Sequence, residues 1–211
     1  FEQQKQFIGN ASHEIQTPLA ICQNRLEMLM EDETLSEQQM GEIAKTCQTL
    51  EYVSKLNKSL LLLSKIDNSQ FASVEKVCLN EILYRYLDDY QEVYDYKGIT
   101  LDVHEKNTFN ITMNGTLAVV LITNLLKNAF VHNIYKGKIQ IEITSSNIRF
   151  GNTGKDEHLD EKHIFERFYQ GSKKEGSTGL GLAIVDAICR QSQLSIQYQF
   201  VKGWHWFDIS C

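Results

Sequence analysis

Proline is almost missing: Pro18 is the only one in 211 residues. Long segments therefore run without the residue that breaks helices. No apolar run approaches the roughly 18 residues of a membrane span, and no signal-peptide pattern opens the chain. Five cysteines (Cys22, Cys47, Cys78, Cys189 and Cys211) form no CxxC pair. A thiolate metal site or a disulfide framework is not expected, and a reducing compartment fits. Basic charge is not in excess, since 21 Lys and Arg face 27 Asp and Glu for a net charge of −6. That argues against a general nucleic-acid binder, which needs a basic face. The chain also lacks internal repeats and low-complexity tracts. With no initiator Met at Phe1, it reads as a fragment of a longer protein.

What is present divides into two parts. Ile8, Ala11, Ile15, Leu19, Cys22, Leu26 and Leu29 recur at spacings of three and four, and so do Met40, Ile43, Cys47, Leu50, Val53, Leu56, Leu60 and Leu63. Both series predict amphipathic helices. The polar stretch 31–36 between them is a turn, with Ser36 as N-cap. Two helices cannot enclose a core, so a second copy completing a four-helix bundle is the economical solution. Residues 1–68 form this hairpin, and residues 69–211 form a second domain. There strands are expected at 73–77, 99–103, 109–113, 139–143, 147–150, 194–201 and 204–209. Helices are expected at 79–96, 116–135 and 180–191. The interleaving predicts a mixed α/β sandwich with one layer of helices.

Two places carry chemistry. On the first helix, His13 lies about 200° from the apolar stripe, so it is expected to face solvent. Glu14 is adjacent, and Thr17 shares its face one turn on. Pro18 removes the hydrogen-bond partner of the Glu14 carbonyl and predicts a kink there. A solvent-facing imidazole beside a carboxylate can act as a nucleophile. On a later helix Asn124, Asn128 and His132 are spaced by four and share a face. Their neutral oxygens suit a hard cation bridged by phosphate, such as Mg²⁺. Gly151-Asn152-Thr153-Gly154 is a turn signal. Gly176-Ser177-Thr178-Gly179-Leu180-Gly181 opens a helix, where backbone N–H groups and the helix N-terminus favour phosphates. It fits neither a P-loop nor a Rossmann turn.

The run Ser12-His13-Glu14-Ile15-Gln16-Thr17-Pro18-Leu19 resembles the phosphoacceptor box of sensor histidine kinases, with Gln16 where a basic residue is usual. Residues 123–133 resemble their asparagine box, with Val131 in place of Lys. Asn152 and Gly154 resemble the first glycine box, with Asn for Asp and Asp156 where a second glycine stands. Residues 164–169 resemble the phenylalanine box, and residues 176–181 the second glycine box, with Ser177 for one glycine. The boxes occur in family order across essentially the whole chain. The resemblance implies a dimerisation and phosphotransfer hairpin joined to an ATPase domain of the gyrase and histidine-kinase type. It implies ATP and Mg²⁺ as cofactors. Asn128 would ligate the metal, Asn124 would support the phosphate site, and His132 would line the nucleotide. Asn152 would accept from the adenine amino group, without the charge assistance of a carboxylate. Gly154, Thr178, Gly179 and Gly181 would complete the site, with Arg167, Lys173 and Lys174 as the nearest cations.

The implied activity is autophosphorylation of His13, assisted by Glu14, followed by transfer to an aspartate of a response-regulator receiver domain on a separate chain. Thr17 would serve regulator dephosphorylation. The implied assembly is a cytoplasmic homodimer with no nucleic-acid partner. This fragment would make no direct membrane contact, the whole protein being anchored in the inner membrane. The alternative expectation is a non-catalytic or phosphatase-dominant dimeric scaffold that binds nucleotide weakly.

Overall fold

The computed structural model describes residues 14–155, 158–171 and 177–211 in full, and residues 2–13 as helical backbone. Helix α1 (Glu2–Met30) and helix α2 (Glu37–Asp67) form the expected hairpin. α1 continues as one helix through Pro18. The Ser36 cap is a reciprocal box: the Gln39 N–H donates to Ser36 Oγ (3.3 Å), and the Ser36 N–H donates to Gln39 Oε1 (2.9 Å). That pair satisfies two backbone donors and fixes where α2 starts. α2 stops at Asp67, followed by Asn68 as cap and Ser69 in the left-handed region (φ 52°).

The second part holds β1 (Glu75–Cys78), α3 (Leu79–Val93), β2 (Thr100–Glu105), β3 (Asn110–Met113), α4 (Gly115–Val131), β4 (Lys138–Ile143), β5 (Asn147–Thr153), α5 (Gly181–Gln191), β6 (Ser195–Val201) and β7 (Trp204–Ser210). The order in the main sheet is β2-β4-β5-β7-β6, with β2 and β4 parallel and every other pair antiparallel. β1 and β3 make a separate antiparallel ribbon. α4 packs between α3 and α5 and also meets β5, so the three helices form one layer, as expected. Strand burial alternates, with Ile139, Ile141, Ile143, Ile148, Phe150, Phe207 and Ile209 turned toward the helices. Between the layers lie Leu117, Leu121, Ile122, Leu125, Leu126, Val185 and Ile188, each at most 1% exposed.

Several boundaries differ from expectation. The helix expected to reach residue 96 ends at Val93 and passes into a 3₁₀ turn at Asp95–Lys97. The helix expected to reach residue 135 ends at Val131. Lys97 explains this: its buried ammonium donates to the carbonyls of Phe130 (2.8 Å) and Val131 (3.0 Å), which would otherwise continue the helix. The turn expected at Gly151 is strand, since β5 runs on to Thr153. A Cβ at Gly151 would collide with the ring of Trp206, so this glycine makes room for an aromatic side chain rather than for a turn.

The last turns of α2 belong to the second domain's packing. Leu63 and Ile66 are at most 3% exposed and join the core of that part, and α2 lies against α5. Earlier in the hairpin the apolar positions stay open: Ile15 is 45% exposed, Met28 71% and Leu29 49%.

Candidate nucleotide site and phosphoacceptor helix

α4 supplies the floor of the site. Its N-terminus is capped by Asn114 Oδ1, which accepts from the Leu117 N–H (3.1 Å), and its C-terminus is held by Lys97. Eight apolar side chains anchor its inner face, from Leu117 to Phe130. That burial leaves Asn124 and Asn128 half-buried and His132 exposed as the helix cap. Asn124 Nδ2 donates to the Val120 carbonyl (2.8 Å). Asn128 differs: its Nδ2 is buried and has no hydrogen-bond partner. A buried amide left unpaired costs about 1–3 kcal/mol. It therefore marks a place where an oxygen-rich ligand would be welcome.

Two glycine segments close on α4 from opposite ends. At the first, a Cβ on Gly154 would stand 2.7 Å from the His205 ring and 3.5 Å from the His132 carbonyl. Asn152 lies on β5 between Ile139 and His205, is 2% exposed, and donates from Nδ2 to the Thr153 carbonyl (3.1 Å). With Nδ2 engaged, the amide oxygen is the atom left to accept from an amine. At the second segment, a Cβ on Gly181 would stand 3.2 Å from Asn124 Oδ1. Gly179 has φ +66°, and a Cβ there would lie 2.8 Å from Phe168 carbonyl carbon and 2.9 Å from Tyr169 O, so conformation and space both demand glycine. Thr178 is half-buried beside it.

The stretch between the glycine segments staples the second one. The Phe168 N–H donates to the Gly179 carbonyl (2.9 Å), and Gln170 Nε2 to the Ser177 carbonyl (2.7 Å). Phe168 itself sits at φ +67°, strained for a non-glycine residue. Arg167, expected as a cation near the phosphates, is engaged in this structure with a carboxylate. Its guanidinium pairs with Asp67, the last residue of α2, at 2.7 Å, and so ties the hairpin to this loop. Asp156, Lys173, Lys174 and Gly176 lie outside the described residues.

On α1, Glu14 and Thr17 are exposed. His13 lies within the helix, and its side chain is outside the described residues. The structure thus brings the asparagine helix and both glycine segments together in one domain and keeps Glu14 and Thr17 on the other. Among the described residues no cluster of His, Cys, Asp and Glu could hold a metal; the unpaired Asn128 Nδ2 is a donor that suits a phosphate oxygen, and it is the Oδ1 of the same amide that has the chemistry to ligate Mg²⁺.

The sequence reading missed Asn133, Thr153, Lys97 and His205. His205 is 8% exposed, hydrogen-bonded at Nδ1 to the Tyr198 hydroxyl (2.8 Å) and at Nε2 to the Lys155 carbonyl (3.0 Å). It therefore holds the chain just beyond Gly154. Its one sequence signal was alternation within a strand, which carries no information about a loop fifty residues away.

Comparisons with known proteins agree with this geometry. The profile of the His Kinase A (phospho-acceptor) domain matches residues 3–69. That of the histidine kinase-, DNA gyrase B-, and HSP90-like ATPase family matches residues 113–205. The chain is 33% identical over 192 residues to the heme sensor protein HssS of Staphylococcus epidermidis, covering 89% of this chain and 42% of that protein. It is 32% identical over 205 residues to HssS of Staphylococcus aureus strain Newman, covering 93% and 44%. The chain thus spans less than half the length of these relatives. Among solved structures, full-length ShkA in complex with AMPPNP aligns over 97% of this chain and 46% of its own, with a TM-score of 0.71 and 18% identity. Histidine kinase AdeS of Acinetobacter baumannii aligns over 93% and 95%, with a TM-score of 0.63 and 22% identity. These last two show a shared fold. With a phosphoacceptor module and an ATPase module in kinase order, the chain belongs to the sensor histidine kinases.

Proposed function

We propose that this chain autophosphorylates His13 from ATP and passes the phosphoryl group to an aspartate of a response-regulator receiver domain on a separate chain. The observation that carries the reading is the buried, unpaired amide of Asn128 between two glycine segments, on a domain joined to the His13 helix.

The residues divide the work. Backbone amides of the second glycine segment and the N-terminus of α5 receive phosphate oxygens, with Thr178, Gly179 and Gly181 keeping the approach open. Asn124 supports that end, and His132, Asn152 and Gly154 line the base end. Asn128 is the residue that would hold Mg²⁺, which when bound offsets the charge of the phosphates. A ring nitrogen of neutral His13 forms the bond to the γ-phosphorus as the bond to the bridging oxygen breaks and ADP leaves. Glu14 draws the proton on the other ring nitrogen, raising the nucleophilicity of the first. Little covalent chemistry is asked of the protein, so positioning and electrostatics carry the rate. Thr17, one turn from His13 and exposed, would orient a water at the regulator's phosphoaspartate.

Residues 1–68 are the phosphotransfer unit and 69–211 the catalytic one, with the joint at the positive-φ Ser69. The working form is a homodimer: the exposed Ile15 and Leu29 of the hairpin's apolar stripe find cover in a second copy. The full-length protein is anchored in the membrane with this part in the cytoplasm. Incubation with γ-labelled ATP and Mg²⁺ tests the reading. Label that is acid-labile, alkali-stable and absent from His13→Gln supports it. Full labelling of His13→Gln, or none of the unmutated protein, sinks it.

A further inference from the structure

The chain just beyond α4 and the end of β5 are joined by a partly buried polar knot. Asn133, 6% exposed, follows directly on His132. Its Oδ1 accepts from the Thr153 hydroxyl (2.7 Å) and the Ile134 N–H (2.9 Å), and its Nδ2 donates to the Lys138 carbonyl (3.0 Å). Thr153 Oγ in turn accepts from the Lys138 N–H (2.7 Å). Gly137 is shaped around the knot, since a Cβ there would collide with Asn133 Oδ1 and stand 2.6 Å from Thr153 Oγ1. Lys97 fixes the helix end from below through the carbonyls of Phe130 and Val131.

Thr153 stands between Asn152 and Gly154, and Asn133 stands beside His132. The knot therefore joins the two pieces of chain that flank the base end of the proposed site. We infer that Asn133, acting through Thr153, is a positioning residue for the nucleotide base: it sets the gap between the end of α4 and the end of β5. This rests on the ATP-binding reading above. The β4–β5 pairing does not depend on the knot, because the strand ladder runs from Ile139–Asn152 to Ile143–Ile148. The Thr153 hydroxyl also has the Lys138 carbonyl at 3.3 Å as a second acceptor. Losing the Asn133 side chain should thus loosen the gap and leave the sheet in place.

The test measures autophosphorylation against ATP concentration for the unmutated protein, Asn133→Ala, Thr153→Val and Thr153→Ser, with thermal melting alongside. Asn133→Ala and Thr153→Val are expected to raise KM for ATP about five- to tenfold. The rate at saturating ATP should stay within about twofold, since positioning of the base is restored by mass action. Thr153→Ser keeps the hydroxyl and should behave as the unmutated protein. A lower melting temperature with an unchanged KM would make the knot merely structural and overturn the inference. So would a Thr153→Ser variant as impaired as Thr153→Val. If Asn133→Ala does not fold, the two Thr153 variants decide alone. Absence of ATP-dependent labelling in the unmutated protein would instead overturn the proposed function, and the inference with it.

Discussion

The hairpin and the ATPase domain use apolar residues in opposite ways. In the domain Leu121, Ile122 and Leu126 are 0% exposed, enclosed by one chain's own sheet and helices. In the hairpin Ile15 is 45% exposed and Leu29 49%, and among the described residues the last turns of α2 alone join the core of the other part. A sheet covered by a helix layer closes on itself, whereas two helices present a stripe that something else must cover. On the proposed function, the domain is a unit of folding and the hairpin a unit of assembly, and the same division would separate nucleotide binding on the closed part from phosphoryl acceptance on the open one.

The sharpest way to break that division is His13→Gln. Labelling is expected to vanish while ATP affinity, measured calorimetrically, stays within about twofold. A large loss of affinity would mean the acceptor helix is part of the nucleotide site. The converse variant, Asn128→Ala, is expected to lower labelling on the order of a hundredfold with unchanged circular dichroism; near-normal labelling would remove Asn128 from the metal role. Thr17→Ala should spare autophosphorylation and slow dephosphorylation of the regulator about tenfold, the range for a positioned polar group. A normal phosphatase rate would end that assignment.

Stability sharpens the contrast further. Leu121→Ala should cost about 3 kcal/mol, independent of protein concentration. Leu29→Ser should cost less than about 0.5 kcal/mol in the monomer, yet shift the dimer's dissociation to higher concentration in sedimentation. Equal effects of the two in dilute solution would show that the hairpin has a core of its own. The smallest effect concerns the bond between the parts. Arg167 and Asp67 are 52% and 39% exposed, so their pair is screened and worth less than about 1 kcal/mol. Asp67→Asn, or added salt, should accelerate labelling by less than about fivefold if the pair holds the domains together. A slower rate would mean that it aligns them productively.

Local pattern made most of the architecture legible. Spacings of three and four located both hairpin helices, and alternation located the strands, because burial on one face imposes those periods directly. The asparagine pair and the glycine runs were legible as a candidate site for a similar reason: each is a residue type at a fixed offset within one element. The misplacements share a different cause. The end of the helix at Val131 is set partly by Lys97, distant in sequence, which takes the carbonyls of Phe130 and Val131, and by Asn133, whose Oδ1 accepts the Ile134 N–H. Nothing around Gly151 distinguishes a turn from a strand until Trp206 packs over it.

Sequence alone thus determined the elements, their order, the incompleteness of the hairpin and the residues that mark the two boxes, because periodicity and backbone conformation are local properties. Tertiary structure decided the rest. It left Asn128 Nδ2 without a partner, paired Arg167 with Asp67, and made Asn133 and Thr153 the join between the asparagine helix and the first glycine segment. Those facts depend on which groups meet across twenty to a hundred residues of chain. A hydrogen bond or ion pair is fixed by distances of about 3 Å, which only the packed layers set.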